Sequence, residues 1–130
     1  MIIIDTALEK LEKENKPIRV GLIGAGFMGR SLANQIINYT KGMKLMAVSN
    51  RNIDKVGELY REVGVTNFEI VTNQEAFDKT ISDGKYVGTK DPFLLCRSKN
   101  IDVIVEVTGT VEFGAKVALE TFKNKKHLVW

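Results

Sequence analysis

The stretch Val20-Gly21-Leu22-Ile23-Gly24-Ala25-Gly26-Phe27-Met28-Gly29 constrains this chain more than any other. Ile18, Val20, Leu22 and Ile23 read as a buried strand, and Met28, Leu32 and Ile36 fall at helical spacing directly after it. Between the two patterns, Gly24, Gly26 and Gly29 stand on the spacing G-x-G-x-x-G. Each position has its own physical demand. The first glycine turns sharply out of the strand, the second lets a pyrophosphate approach the backbone, and the third lets helix and strand pack closely. The amides that open the helix would face the phosphates with the positive end of the helix dipole. The strand before and the helix after are the context that gives the motif meaning. They predict a dinucleotide site built from Gly24, Gly26, Phe27, Met28 and Gly29. The plainer alternative is a glycine-rich turn that only joins strand to helix.

The rest of the chain alternates strand and helix patterns. This predicts an α/β fold, a Rossmann-type doubly wound parallel sheet of order 3-2-1-4-5 in three layers, α/β/α. With 130 residues there is room for one domain and a real core, so residues 1–130 are read as one NAD(P)-binding domain with a lead-in helix over residues 5–16. A helix over Phe27–Tyr39 should bury Met28, Leu32, Ala33, Ile36 and Ile37, and Met43–Ser49 should be the second strand. Asn52–Val63 reads as a helix with Val56, Leu59 and Tyr60 inward, and Phe68–Val71 as a short strand. Thr72-Asn73-Gln74-Glu75 has capping-box spacing and opens a helix that runs to Gly84. The segment over residues 65–85 is longer than a minimal Rossmann connection requires, and no function attaches to it. Tyr86–Thr89 is the next strand, followed by Asp91 as an N-cap with Pro92 at the first helical position. Asp102–Val107 is a nearly continuous β-branched run, as expected of a central strand covered on both faces. A last helix over Val111–Lys123 should bury Val111, Ala115, Ala118, Leu119 and Phe122; Phe113 falls off that stripe, and His127 begins another strand.

Composition excludes several classes. The net charge is only +3 and no basic run carries interleaved aromatics, so nucleic acid is not an expected partner. Cys96 is the only cysteine, which rules out an intramolecular disulfide, suits a reducing cytoplasm, and reads as a small apolar residue in a helix. A single histidine, His127, cannot build a His-based metal cluster. No apolar run is long enough to span a membrane, and the Met1–Ile4 start has no basic flank, so it does not read as a signal peptide.

The end of the second strand bears on cofactor choice. In a Rossmann unit this position lies near the adenosine ribose, where an Asp or Glu would grip both ribose hydroxyls and select NAD. This chain has Ser49-Asn50-Arg51 instead. No carboxylate there repels a 2′-phosphate, and Arg51 offers a charge-assisted contact to one. The expectation is therefore NADP in preference to NAD, with Asn50 and Arg51 at the ribose. The alternative is that Arg51 merely begins the next helix in solvent. Thr108-Gly109 ends the 102–107 strand on the same side as the glycine turn, which places Thr108 and Gly109 toward the nicotinamide. Glu106 is a carboxylate in an apolar strand, and a structural bond to a backbone amide is its favoured role over a functional one.

Together, Pro17–Gly29, the run Asp102-Val103-Ile104-Val105-Glu106-Val107-Thr108-Gly109, and Gly114-Ala115 before Lys126-His127-Leu128-Val129 resemble one group. It is the homoserine dehydrogenase-like NAD(P)-dependent oxidoreductases, especially those with a C-terminal SAF domain. Members of the group are several times longer. The resemblance therefore implies that this chain is the cofactor-binding domain alone, that the catalytic residues and a small-molecule substrate pocket lie after Trp130, and that this polypeptide alone is inactive. An apolar face left by a missing domain would favour a homo-oligomer. The competing reading is a stand-alone, non-catalytic NAD(P)-binding module that senses nicotinamide redox state. A reading frame that continues past Trp130 into a substrate domain favours the enzyme, and a natural stop codon favours the module.

Overall fold

The computed structural model describes residue 10 and residues 16–130. The expected lead-in helix lies outside the described residues except at Lys10 and Lys16, and the Met1–Ile4 start lies wholly outside them. Among the described residues the elements run β1 (Ile18–Ile23), α1 (Phe27–Tyr39), β2 (Met43–Ser49), α2 (Ile53–Glu62), β3 (Phe68–Ile70), α3 (Gln74–Ser82), β4 (Tyr86–Thr89), α4 (Pro92–Arg97), β5 (Val103–Glu106), α5 (Val111–Lys123) and β6 (His127–Val129).

The strands form one sheet in the order β3-β4-β2-β1-β5-β6, and every neighbouring pair is parallel. Without β3, this is the expected 3-2-1-4-5 arrangement. The Phe68–Ile70 segment adds a sixth strand outside β4, held by Phe68↔Tyr86 and Ile70↔Gly88 pairing. The long 65–85 connection thus closes one edge of the sheet and supplies α3.

Two apolar clusters lie on opposite faces. Val20, Leu22, Leu45 and Val48 meet Ala33 and Ile36 of α1 and Val56, Leu59 and Tyr60 of α2. Ile23, Met46, Ala47, Val87 and Ile104 meet Phe77 of α3, Leu94, Leu95 and Cys96 of α4 and Val117 of α5. The three layers follow directly. In β2 the strict alternation of faces breaks, because Val20 pairs with Leu45 but Gly21 pairs with Ala47, leaving Met46 as an extra residue. A bulge of this kind re-aims every side chain after it. It turns Val48 back to the α1–α2 face and sets the direction in which β2 delivers Ser49, Asn50 and Arg51.

Three helix expectations need correction. Met28 is 57% exposed, and α1 buries Gly29, Ala33 and Ile36 instead. The cap of α3 is Asn73, one residue after the expected Thr72, and its side chain accepts from the Ala76 amide at 2.8 Å. In α5, Ala118 of the expected stripe is buried, but Ala115 is exposed and Leu119 and Phe122 are 72% and 61% exposed; the Val111 side chain lies outside the described residues, and the inward side otherwise carries Gly114, Val117 and Thr121. Apolarity marks the wrong stripe there because Thr121 is buried. Its hydroxyl donates to the Val117 carbonyl at 2.7 Å and lies 3.4 Å from Cys96 Sγ. Burial pushes the Cys96 thiol up, away from the reactive thiolate.

Tyr60 is fully buried, and its hydroxyl donates to the Val87 carbonyl at 2.6 Å, tying α2 to β4. Burial holds the phenol well above its ordinary range. Tyr60→Phe keeps the ring contacts with Phe68 and Tyr86 and loses that bond. A loss of about 1 to 2 kcal/mol in urea unfolding is expected; an unchanged midpoint would show that the hydroxyl contributes nothing.

Candidate functional site

β1 lies at the centre of the sheet, with β2 on one side and β5 on the other. From β2 the chain passes to the edge strand β3, comes back to β4 beside β2, then crosses to the opposite side for β5 and β6. The crevice beyond the carboxyl ends of β1, β2 and β5 is therefore the switch point at which open α/β sheets bind ligands. A cleft of about 1150 Å³ opens there, lined by Gly24, Ala25, Gly26, Ser49, Asn50 and Arg51 on one side and Val107, Thr108 and Thr110 on the other.

The three glycines differ in what their backbones do. Gly24 has φ +116°, and its amide donates to the Ser49 carbonyl at 2.8 Å, so the turn leaves β1 tightly bound to the end of β2. A Cβ on Gly29 would land on the Gly24 carbonyl oxygen, so the start of α1 lies directly against the turn. Gly26 is the opposite case: a Cβ there would meet nothing within 4 Å. It faces the open cleft. Gly26 is also the N-cap of α1, and no side chain caps that end. The first-turn amides of a helix have no partner within the helix. An anion in the cleft would satisfy them and meet the positive end of the helix dipole.

The other expected residues divide. Phe27 is 80% exposed, and it and Met28 stand at the first turn of α1 outside the cleft lining. Asn50 is structural. Its side-chain oxygen accepts from the Ala25 amide at 3.1 Å, and its side-chain nitrogen donates to the Asn52 carbonyl at 3.0 Å. It ties the glycine turn to the end of β2. Arg51 is exposed in the cleft wall and joins none of the ion pairs among the described residues. Thr108 lines the cleft, whereas Gly109 supplies a φ of +78° to the turn before α5. Glu106 is 2% exposed, and its Oε1 accepts from the Thr108 amide at 2.7 Å, the backbone role its burial demanded. Its Oε2 and the Ser49 hydroxyl are buried without a hydrogen-bond partner. Both flank Ile23 in the register, beneath the turn.

Sequence reasoning missed Lys55, Lys90, Glu112 and Lys116, which also line the cleft. Nothing in their local sequence marks them. They come together only when β4 pairs with β2 and α5 folds back along β5. Phe113, whose place the sequence left open, is half-buried, packs against the second core cluster and lines the cleft.

A parallel doubly wound sheet with a glycine turn and an uncapped helix at its switch point defines an NAD(P)-binding domain of the dehydrogenase kind. The chain belongs to the shikimate/quinate 5-dehydrogenase family, whose model matches residues 5–84. It is also 28% identical over 115 residues to the homoserine dehydrogenase of Neisseria gonorrhoeae, covering 88% of this chain and 23% of that protein. This agrees with the homoserine dehydrogenase-like resemblance. Among solved structures, the fold is similar to a myo-inositol dehydrogenase from Lactobacillus casei in complex with NAD(H) and myo-inositol, with TM-score 0.66 and 19% identity over 86% of this chain and 27% of that one. A scyllo-inositol dehydrogenase from the same organism, with bound NAD(H) and scyllo-inositol, gives TM-score 0.64 and 18% identity over 87% and 27%. The chain thus spans about a quarter of the length of the relatives it matches. No helix among the described residues is long and apolar enough to cross a membrane.

Proposed function

We propose that this chain is the cofactor-binding domain of an NADP-preferring oxidoreductase that acts on a small-molecule substrate carried by a further domain, of the SAF-containing kind that the resemblance implies. The observation that carries the reading is the uncapped α1 terminus above Gly26, whose missing side chain leaves space at the cleft wall. A pyrophosphate fits that cradle. Gly24, Gly26 and the amides of Phe27, Met28 and Gly29 would hold it. The bound nicotinamide cofactor supplies the hydride chemistry, while the chain's own residues bind and orient it. Thr108 and Gly109 would shape the nicotinamide end, and Asn50 would fix the turn while Arg51 meets the ribose. No residue of the described cleft is assigned a proton transfer or a covalent role. Leu119 and Phe122 on α5, and Val129 and Trp130 at the end of the sheet, are exposed large apolar side chains of the kind that burial against more protein, a further domain or a second copy of the chain, would cover.

The absence of a carboxylate at the end of β2, and Arg51 there joining no ion pair among the described residues, support the NADP preference. Arg51→Ala should weaken NADP about tenfold or more while weakening NAD much less, since charge-assisted contacts to a phosphate exceed those to a hydroxyl. Paired calorimetric titrations read the effect. Equal losses for the two cofactors would remove the NADP assignment.

A further inference from the structure

Charge is distributed unevenly along the cleft. Glu112, its one acidic lining residue, sits on α5 beside Lys116, on the Thr108–Thr110 side. The β2–β4 side carries Arg51, Lys55 and Lys90 and no lining carboxylate. None of these three cations joins an ion pair among the described residues. The nearest acids in sequence do not neutralise them by pairing: the Asp91 carboxylate accepts from the Phe93 amide at 3.0 Å as the cap of α4, and Asp54 lies outside the lining.

Lys90 reaches this place by sheet register. Ser49 of β2 pairs with Thr89 of β4, and the Asn50 amide donates to the Thr89 carbonyl at 3.2 Å. Asn50 and Lys90 are therefore the first residues beyond two adjacent strand ends, which in a sheet lie about 5 Å apart. The backbone carrying Arg51 is held against the backbone carrying Lys90, although 39 positions separate them in the chain.

We propose that Lys90 is a specificity-determining residue that pairs, together with Arg51, with the 2′-phosphate of NADP. The inference rests on the reading of this cleft as an NADP site. A phosphate monoester carries about −1.5 to −2 charges at neutral pH, and one guanidinium leaves part of that charge unmet. Arginine supplies a planar fork and lysine a compact point charge with rotatable donors, so the two suit different oxygens of one phosphate. Neither cation pairs with a carboxylate among the described residues, so binding breaks no ion pair there.

The test is calorimetric titration of the native chain, Lys90→Ala and Lys90→Arg with NADP and, separately, NAD. The ratio of NADP to NAD affinity should fall about tenfold in Lys90→Ala and stay within about threefold of native in Lys90→Arg, which keeps the charge. A purely structural role would lower both affinities together and leave the ratio unchanged. A ratio in Lys90→Ala within about twofold of native overturns the assignment of Lys90 while the NADP reading stands. A native chain that binds NAD as tightly as NADP, or binds neither, overturns the NADP reading and this inference with it.

Discussion

Gly26→Val should lose dinucleotide affinity by about a hundredfold or more while the domain stays folded. The backbone at Gly26, φ −79° and ψ −163°, suits any residue, and an added Cβ meets nothing within 4 Å. Valine is a poorer N-cap than glycine, so a stability loss of about 1 kcal/mol is expected. Its methyl groups would occupy the space between the cleft and the open end of α1. The loss of binding then comes from exclusion of the pyrophosphate, and not from unfolding. Calorimetry and a thermal melt on the same sample separate the two. Affinity close to native would mean that the turn is architecture alone, and a collapsed melt would mean that Gly26 holds the fold.

Gly29→Val should do the reverse. Its Cβ would fall on the Gly24 carbonyl oxygen and 2.8 Å from the carbonyl carbon, both rigid backbone atoms. Relief requires α1 to move away from β1 and to drag Ala33 and Ile36 out of the first core cluster. Overpacking of this kind costs about 3 kcal/mol or more, which lowers the melting temperature by on the order of 10 °C in a domain of this size. A native melting temperature would show that helix and turn are not in the close contact described. The two variants, three positions apart, therefore report different things: one the ligand, the other the packing.

Much of the fold is legible in the chain. The glycine spacing is readable because each glycine answers a backbone demand that no other residue meets as well, and the β-branched run Val103–Val105 is readable because a strand covered on both faces needs no polar alternation. Tyr60, Leu59 and Val56 fall inward as their spacing requires. Local pattern fails where tertiary contact decides. On α5 it picks the wrong face because Thr121, polar by type, satisfies its own hydroxyl and goes inward, while Leu119 and Phe122 go outward. The bulge at Met46 leaves no mark in the unbroken apolar run Leu45–Val48 of β2. Lys90 is invisible as a cleft residue for the same reason: its neighbours are set by the pairing of Ser49 with Thr89, a contact between distant parts of the chain. Asn50 stands out at the end of β2 as a position, but its bond to the Ala25 amide cannot be read from type or spacing.

The cleft between the glycine turn and Thr108 is proposed to hold a nicotinamide dinucleotide with a 2′-phosphate. Calorimetric titration of the native chain with NADP and with NAD, at low and then raised salt, tests it most directly. Saturable binding of both is expected, tighter for NADP, with an advantage that shrinks as salt screens the exposed Arg51 and Lys90 charges. Tighter binding of NAD, or an NADP advantage indifferent to salt, would contradict it.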